Sequence, residues 1–123
     1  MSRVIKFRAW NSIDKKMCDN GVVLHRLSAL LNIKNYHVMQ FTGLLDANGV
    51  EIYEGDLVSI HDLDDGEFLM SGVVKFGVRG YPAFDVYNKQ NDTYTDEYNT
   101  FTNDDNLRFT VFGNIYQNPE LLK

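Results

Sequence analysis

QFTGLLDANGVEIYEGDLVSI, residues 40–60, is the stretch whose reading decides the fold. Asn48-Gly49 sits between apolar segments and is the strongest short hairpin signal in the chain. A two-residue type I′ turn needs positive φ at both central positions, which Asn and Gly tolerate best. Tyr53-Glu54-Gly55-Asp56 then marks a second turn, and Leu57 to Ile60 a further strand. The stretch reads as one strand turning tightly into the next, the start of a small barrel or rolled sheet. Gly43, Asn48, Gly49, Gly55 and Asp56 are therefore expected to be architectural, and no catalytic grouping is visible among them.

Outward from this block, residues 3–10 alternate as a strand, with Ile5, Phe7 and Ala9 on one face and Lys6, Arg8 and Trp10 on the other. Met17 to Val23 reads as a return strand interrupted by Asn20-Gly21. Leu24, Leu27, Leu30 and Leu31 recur at helical spacing and predict a short helix over 24–32. Strands are expected at 36–41, 72–76, 83–87 and 107–112, and a closing helical turn at Pro119. Residues 88–106 form a long polar insertion poor in aliphatics. Phe7, Trp10, Tyr53, Val58, Val74, Phe76, Phe109 and Ile115 are the expected core. Together these elements predict a mainly β chain. A small amino-terminal β/α subdomain, 1–41, precedes a β-barrel, 42–123, that carries the insertion.

The block 40–60 resembles the signature of the YopX family, small proteins of phages and prophages. IKFRAW, with Lys16-Met17 after it, and FGNIYQNPELL extend the resemblance towards both ends. Asn11, Leu45, Val50 and Gln117 depart from the residues usual at those places. The resemblance implies an SH3-like barrel in the second half and a phage or prophage origin, but no reaction.

Charge is divided unevenly. Residues 1–41 carry seven basic side chains against Asp14 and Asp19, whereas the rest of the chain is strongly acidic, for a net charge of −5. The two regions should attract, either within one molecule or between subunits of a homo-oligomer. Lys15 and Lys16 of the first predicted turn, with Tyr94, Tyr98 and Phe101 of the insertion, are the candidate partner contacts. Arg3, Lys6 and Arg8, interleaved with Phe7 and Trp10, are candidate nucleic-acid contacts, since cations track phosphates and rings stack on bases. Overall acidity argues against that second reading.

The remaining chemistry is thin. Gly72, Gly77 and Gly80 lack a Gly-Lys-Ser/Thr ending, so turns and bulges are their expected role. The loop 61–66 fails the EF-hand spacing, because Leu63 stands where an oxygen ligand belongs. His25, His37, His61 and the single Cys18 show no zinc spacing. No cofactor or metal is expected, and no membrane segment. With no apolar leader in MSRVIKFRAW and a lone cysteine, a cytoplasmic location is expected. The sequence thus favours a non-catalytic interaction or assembly module.

Overall fold

The computed structural model describes residues 5–76, 84–88, 93–94 and 107–122. The described residues form a mainly β protein with two antiparallel sheets and one α-helix. The first sheet has the order β2-β1-β3-β4, built from β1 (Phe7–Asn11), β2 (Lys16–Cys18), β3 (Tyr36–Leu45) and β4 (Glu51–Tyr53). The helix α1 (Asn20–Leu31) lies between β2 and β3 in sequence. The second sheet has the order β8-β7-β6-β5-β9, from β5 (Asp56–Asp62), β6 (Phe68–Phe76), β7 (Phe84–Asn88), β8 (Thr93–Tyr94) and β9 (Leu107–Asn114). A single 3₁₀ turn, Pro119–Leu122, follows.

The buried apolar side chains form two cores. Ala9, Val23 and Leu30 are buried together, with Phe7, Leu27, Tyr36 and Val38 packed against them. Ile52, Val58, Ile60, Val74 and Val86 form the second cluster, flanked by Leu44, Met70, Phe109 and Val111. β3 links the two. Its first half gives Tyr36 and Val38 to the helix-backed core, and its far end gives Leu44 to the other. The boundary expected after residue 41 falls inside this continuous strand.

Several local expectations need correction. The return strand ends at Cys18, and Asn20-Gly21 opens the helix rather than breaking a strand. Asp19 is its N-cap, and its side chain accepts from the Val22 amide at 3.2 Å, one of the donors a helix start leaves unsatisfied. The helix therefore begins four residues earlier than its leucine spacing suggests, and Leu31 points to solvent at 63% exposure. Within the expected core, Trp10, Tyr53, Val58 and Val74 are buried, and Phe7, Phe109 and Ile115 are half-buried. Phe76 is exposed: it ends β6 beyond the core, and its ring meets Phe84 edge-on at 4.9 Å.

The hairpin turn is also of another type. Gly49 has φ +81°, but Asn48 is not in the left-handed region, so the turn is not type I′. Asp46 supplies the missing order. Its carbonyl accepts from the Gly49 amide at 3.0 Å, and its Oδ1 accepts from the Asn48 and Val50 amides at 2.8 and 2.9 Å. One glycine then suffices at the end of the turn. Gly72 is neither turn nor bulge. It lies inside β6, where a Cβ would stand 2.3 Å from the Tyr87 carbonyl oxygen, so only glycine fits. Gly77 and Gly80 lie outside the described residues.

Candidate functional site

The acidic side chains of the 40–60 block are engaged within the fold. Besides holding its own turn, Asp46 accepts from the Val111 amide of β9 through Oδ2 at 2.9 Å. Burial alone would raise its pKa, but the three backbone donors outweigh burial and hold the carboxyl below its ordinary value. Glu51 accepts from Lys6 Nζ at 2.5 Å and from the Tyr53 hydroxyl at 3.1 Å. The Lys6 bond leads in pulling its carboxyl below the ordinary value. Asp56 is buried beside the Arg8 guanidinium, which donates to Oδ1, while the Tyr53 amide donates to Oδ2 at 2.7 Å. Burial pushes the Asp56 carboxyl up, and the Arg8 charge offsets this only in part.

Lys6, Arg8, Glu51 and Tyr53 line a cleft of about 330 Å³ with Met17, Asp19 and Asn20. Arg8 also stacks over the Tyr53 ring at 4.5 Å, and Lys6 lies 5.5 Å from the Phe41 ring. Burial leads in raising the Tyr53 hydroxyl to about 12, with the neighbouring Glu51 adding to it. It is thus a hydrogen-bond donor at neutral pH and no base. The two cations suggested for nucleic-acid contact are paired to the acidic block, and Arg3 lies outside the described residues. Trp10, placed beside them in the sequence, is buried at 7% exposure and offers no stacking face.

A second cleft, about 260 Å³, opens between the sheets and is lined by Met39, Glu54, Val74, Lys75 and Tyr116 among others. Burial, and then the Glu54 charge, raise the Tyr116 hydroxyl, and His37 stacks on its ring at 4.9 Å. Among the described residues no three His, Cys, Asp or Glu side chains come together as a metal site would require. No helix among them is long and apolar enough to cross a membrane.

Exposed apolar and charged side chains lie together at each end of β3. At its Tyr36 end, the β1–β2 turn lies against the α1–β3 turn, joined by the Ser12 amide donating to the Asn35 carbonyl at 2.9 Å. Lys15, Lys16 and Lys34 are exposed there, with Ile13 at 73% and Ile33 at 42% exposure. None of these lysines is ion-paired among the described residues. At the Leu45 end, the hairpin tip and the β5–β6 turn border a shallow cleft of about 390 Å³. Leu45 and Leu63 stand at its rim, 59% and 55% exposed, with Leu107 and Phe109 half-buried behind them. The adjoining turn carries Asp64, Asp65 and Glu67, all exposed. Sequence reasoning singled out Lys15 and Lys16 but missed Leu45 and Leu63 as a pair. Of the aromatics proposed as contacts, Tyr94 lies in β8 opposite Tyr87, and Tyr98 and Phe101 lie outside the described residues.

Residues 22–123 match the profile of the YopX protein family, well over half of the chain. The chain belongs to the YopX family. Its fold is similar to a crystal structure of protein EF1440 from Enterococcus faecalis, at TM-score 0.58 and 23% identity, over 99% of this chain and 100% of that one. It is also similar to the crystal structure of protein yopX from Bacillus subtilis, at TM-score 0.50 and 19% identity, over 96% and 98% of the two chains. At such identities the likeness to these two structures concerns the fold alone. Among curated proteins none matches the chain significantly.

Proposed function

We propose that this YopX-family chain is a non-catalytic interaction module that engages a protein partner through the cleft at the Leu45 end of β3. One observation carries the reading: Leu45 and Leu63 converge, largely exposed, on a cleft backed by Leu107 and Phe109. Two leucines held on the rims of rigid turns are poor for solvation and good for contact, since the fully buried centre of an interface is apolar. Among the described residues the one carboxylate lining that cleft, Asp46, already accepts three backbone bonds and has little capacity left for chemistry. The nucleic-acid alternative has less support, because Lys6 and Arg8 would have to leave Glu51 and Asp56 to reach phosphates. The resemblance also suggests that the second sheet, with β4 against it, is an SH3-like barrel, and that the protein acts in the cytoplasm of a phage- or prophage-bearing bacterium.

The test is comparative capture from such cells, with wild type and Leu45→Lys/Leu63→Lys as baits. Both substitutions lie in exposed positions and should leave the fold intact. The reading expects a protein retained by wild type and lost with the variant. Identical retention by both baits would sink it.

A further inference from the structure

We propose that the cleft between the two sheets binds a free α-amino acid with an apolar side chain, a function separate from the partner contact above. The cleft is walled by Val38 and Met39 of β3, the β4–β5 turn, the end of β6, and Ile115 and Tyr116 after β9. None of these residues lines the Leu45 cleft. Backbone bonds fix the walls. The Gly55 amide donates to the Val74 carbonyl at 2.8 Å, and the Gly55 carbonyl accepts from the Ile115 amide at 2.9 Å. Gly55 has φ +89°, and a Cβ there would stand 3.2 Å from Met39 Sδ and 3.6 Å from the Tyr116 ring. Glycine therefore keeps side-chain bulk away from the space these residues border. The volume, about 260 Å³, lies below the ~300–1,000 Å³ usual for drug-sized ligands, so the occupant is small.

Three polar groups of this cleft lack strong partners among the described residues. The Glu54 carboxylate accepts one long bond, from the Gln40 amide to Oε1 at 3.4 Å, and Oε2 accepts none from them. The Tyr116 hydroxyl makes no hydrogen bond to them, while burial and the Glu54 charge hold it protonated as a donor. Lys75 Nζ is ion-paired to no carboxylate among them, Glu54 included, and rests over the Tyr87 ring at 4.7 Å. Half-buried groups left in this way gain from a ligand that completes them. An α-amino acid complements all three. Its ammonium suits Glu54, and its carboxylate suits Lys75 and the Tyr116 hydroxyl, in charge-assisted bonds stronger than a ring contact. Its side chain suits Val38, Met39 and Ile115. An amine alone would bring a like charge to Lys75, and an acid alone would do the same to Glu54, so the two signs together select a zwitterion.

The test titrates the purified full chain with L-leucine, L-methionine and L-phenylalanine, read by calorimetry and by amide chemical shifts of isotope-labelled protein. At least one should bind saturably below ~10 mM, shift the Val38, Gly55 and Tyr116 amides, and raise the thermal midpoint as its concentration rises. The matching amine and the deaminated acid (for leucine, isopentylamine and isocaproate) should each bind at least about tenfold more weakly. The same loss is expected for the amino acid with Glu54→Gln, Lys75→Met and Tyr116→Phe, each checked for wild-type circular dichroism. The proposal is overturned if none of the three amino acids saturates the protein at ~10 mM. An amine or acid that binds as well as the amino acid overturns it too, and that comparison uses the intact protein alone. Undiminished binding by folded Glu54→Gln, or shifts confined to residues away from the cleft, would place the ligand elsewhere and likewise end the proposal.

Discussion

Replacing Arg8 with Met tests the bond that ties the first sheet to the second. Arg8 is on β1 and Asp56 opens β5, 48 residues later, and the carboxylate side chain is only 2% exposed. Met keeps most of the length that lies over the Tyr53 ring but removes the charge. Among the described residues Asp56 then retains only the Tyr53 amide as a direct donor. Breaking a buried ion pair from one side costs ~3–5 kcal/mol, because the remaining charge is stranded without water. The Arg8 Nε, itself buried without a hydrogen bond among the described residues, disappears with the guanidinium and slightly lessens that cost. The sign of the pH response follows from the direction of the Asp56 shift. Its pKa is raised by burial already, so the folded state holds the proton more tightly than the unfolded chain, and stability falls as pH rises through that window. Without Arg8 the pKa rises further. The loss in Arg8→Met should therefore be largest at neutral pH and shrink towards pH 4. Urea denaturation at a series of pH values measures it. Adding Asp56→Asn should recover part of the loss, since the amide oxygen can still accept from Tyr53 N–H. A single variant within ~1 kcal/mol of wild type, or a loss independent of pH, would refute the argument.

Two further outcomes follow from the same packing. Gly72→Ala should destabilise the fold by ~1–3 kcal/mol, because the new methyl forces β6 away from the Tyr87 carbonyl; an unchanged thermal midpoint would show that the close approach does not exist. Asp46→Asn should cost ~1–3 kcal/mol, since one amide oxygen cannot serve both the hairpin amides and the Val111 amide. The lowered pKa of Asp46 means that its stabilisation is present above the ordinary value of 3.8 and is lost as pH falls through the folded value, so the variant should lack that acid loss in a pH series of urea titrations.

The hairpin, the β-rich class and most strand positions were legible because they depend on local pattern: apolar alternation, and a glycine where φ turns positive. The errors came where a local signal has two readings or none. Asn20-Gly21 resembles a turn, yet Asp19 before it is a good N-cap, and the cap decided the structure. Asn48-Gly49 suggested type I′, but the Asp46 carboxylate holds the backbone in another turn that asks for positive φ only at Gly49. The need for Gly72 arises from the β7 backbone beside it, which no neighbour in sequence announces. Charge asymmetry correctly suggested that the basic third would meet acidic groups. It could not choose Glu51 and Asp56 as the partners of Lys6 and Arg8, because register across 45 and 48 residues is set by the sheets and not by local pattern.

This division bears on where function resides. Asp46, Glu51 and Asp56 recur every five residues through the block that marks the family, and each fastens a different element: β9, the segment before β1, and β1 itself. A block so engaged can be highly recognisable and still say nothing about partners, since changing any of its acids strands a donor or a charge. Exposed groups outside that network include Ile13, Lys15, Lys16 and Lys34 at one end of β3 and Leu45, Leu63 and Asp64 at the other. Leu45, moreover, sits beside the turn that Asp46 braces. The architectural carboxylate thus gives an exposed leucine a fixed position, which lowers the entropy lost on contact. Asp46→Asn should therefore weaken partner capture through the Leu45 cleft beyond its effect on the folded fraction, and capture under conditions where the variant remains folded separates the two effects. Equal capture by wild type and folded variant would show that the tip needs no bracing to bind.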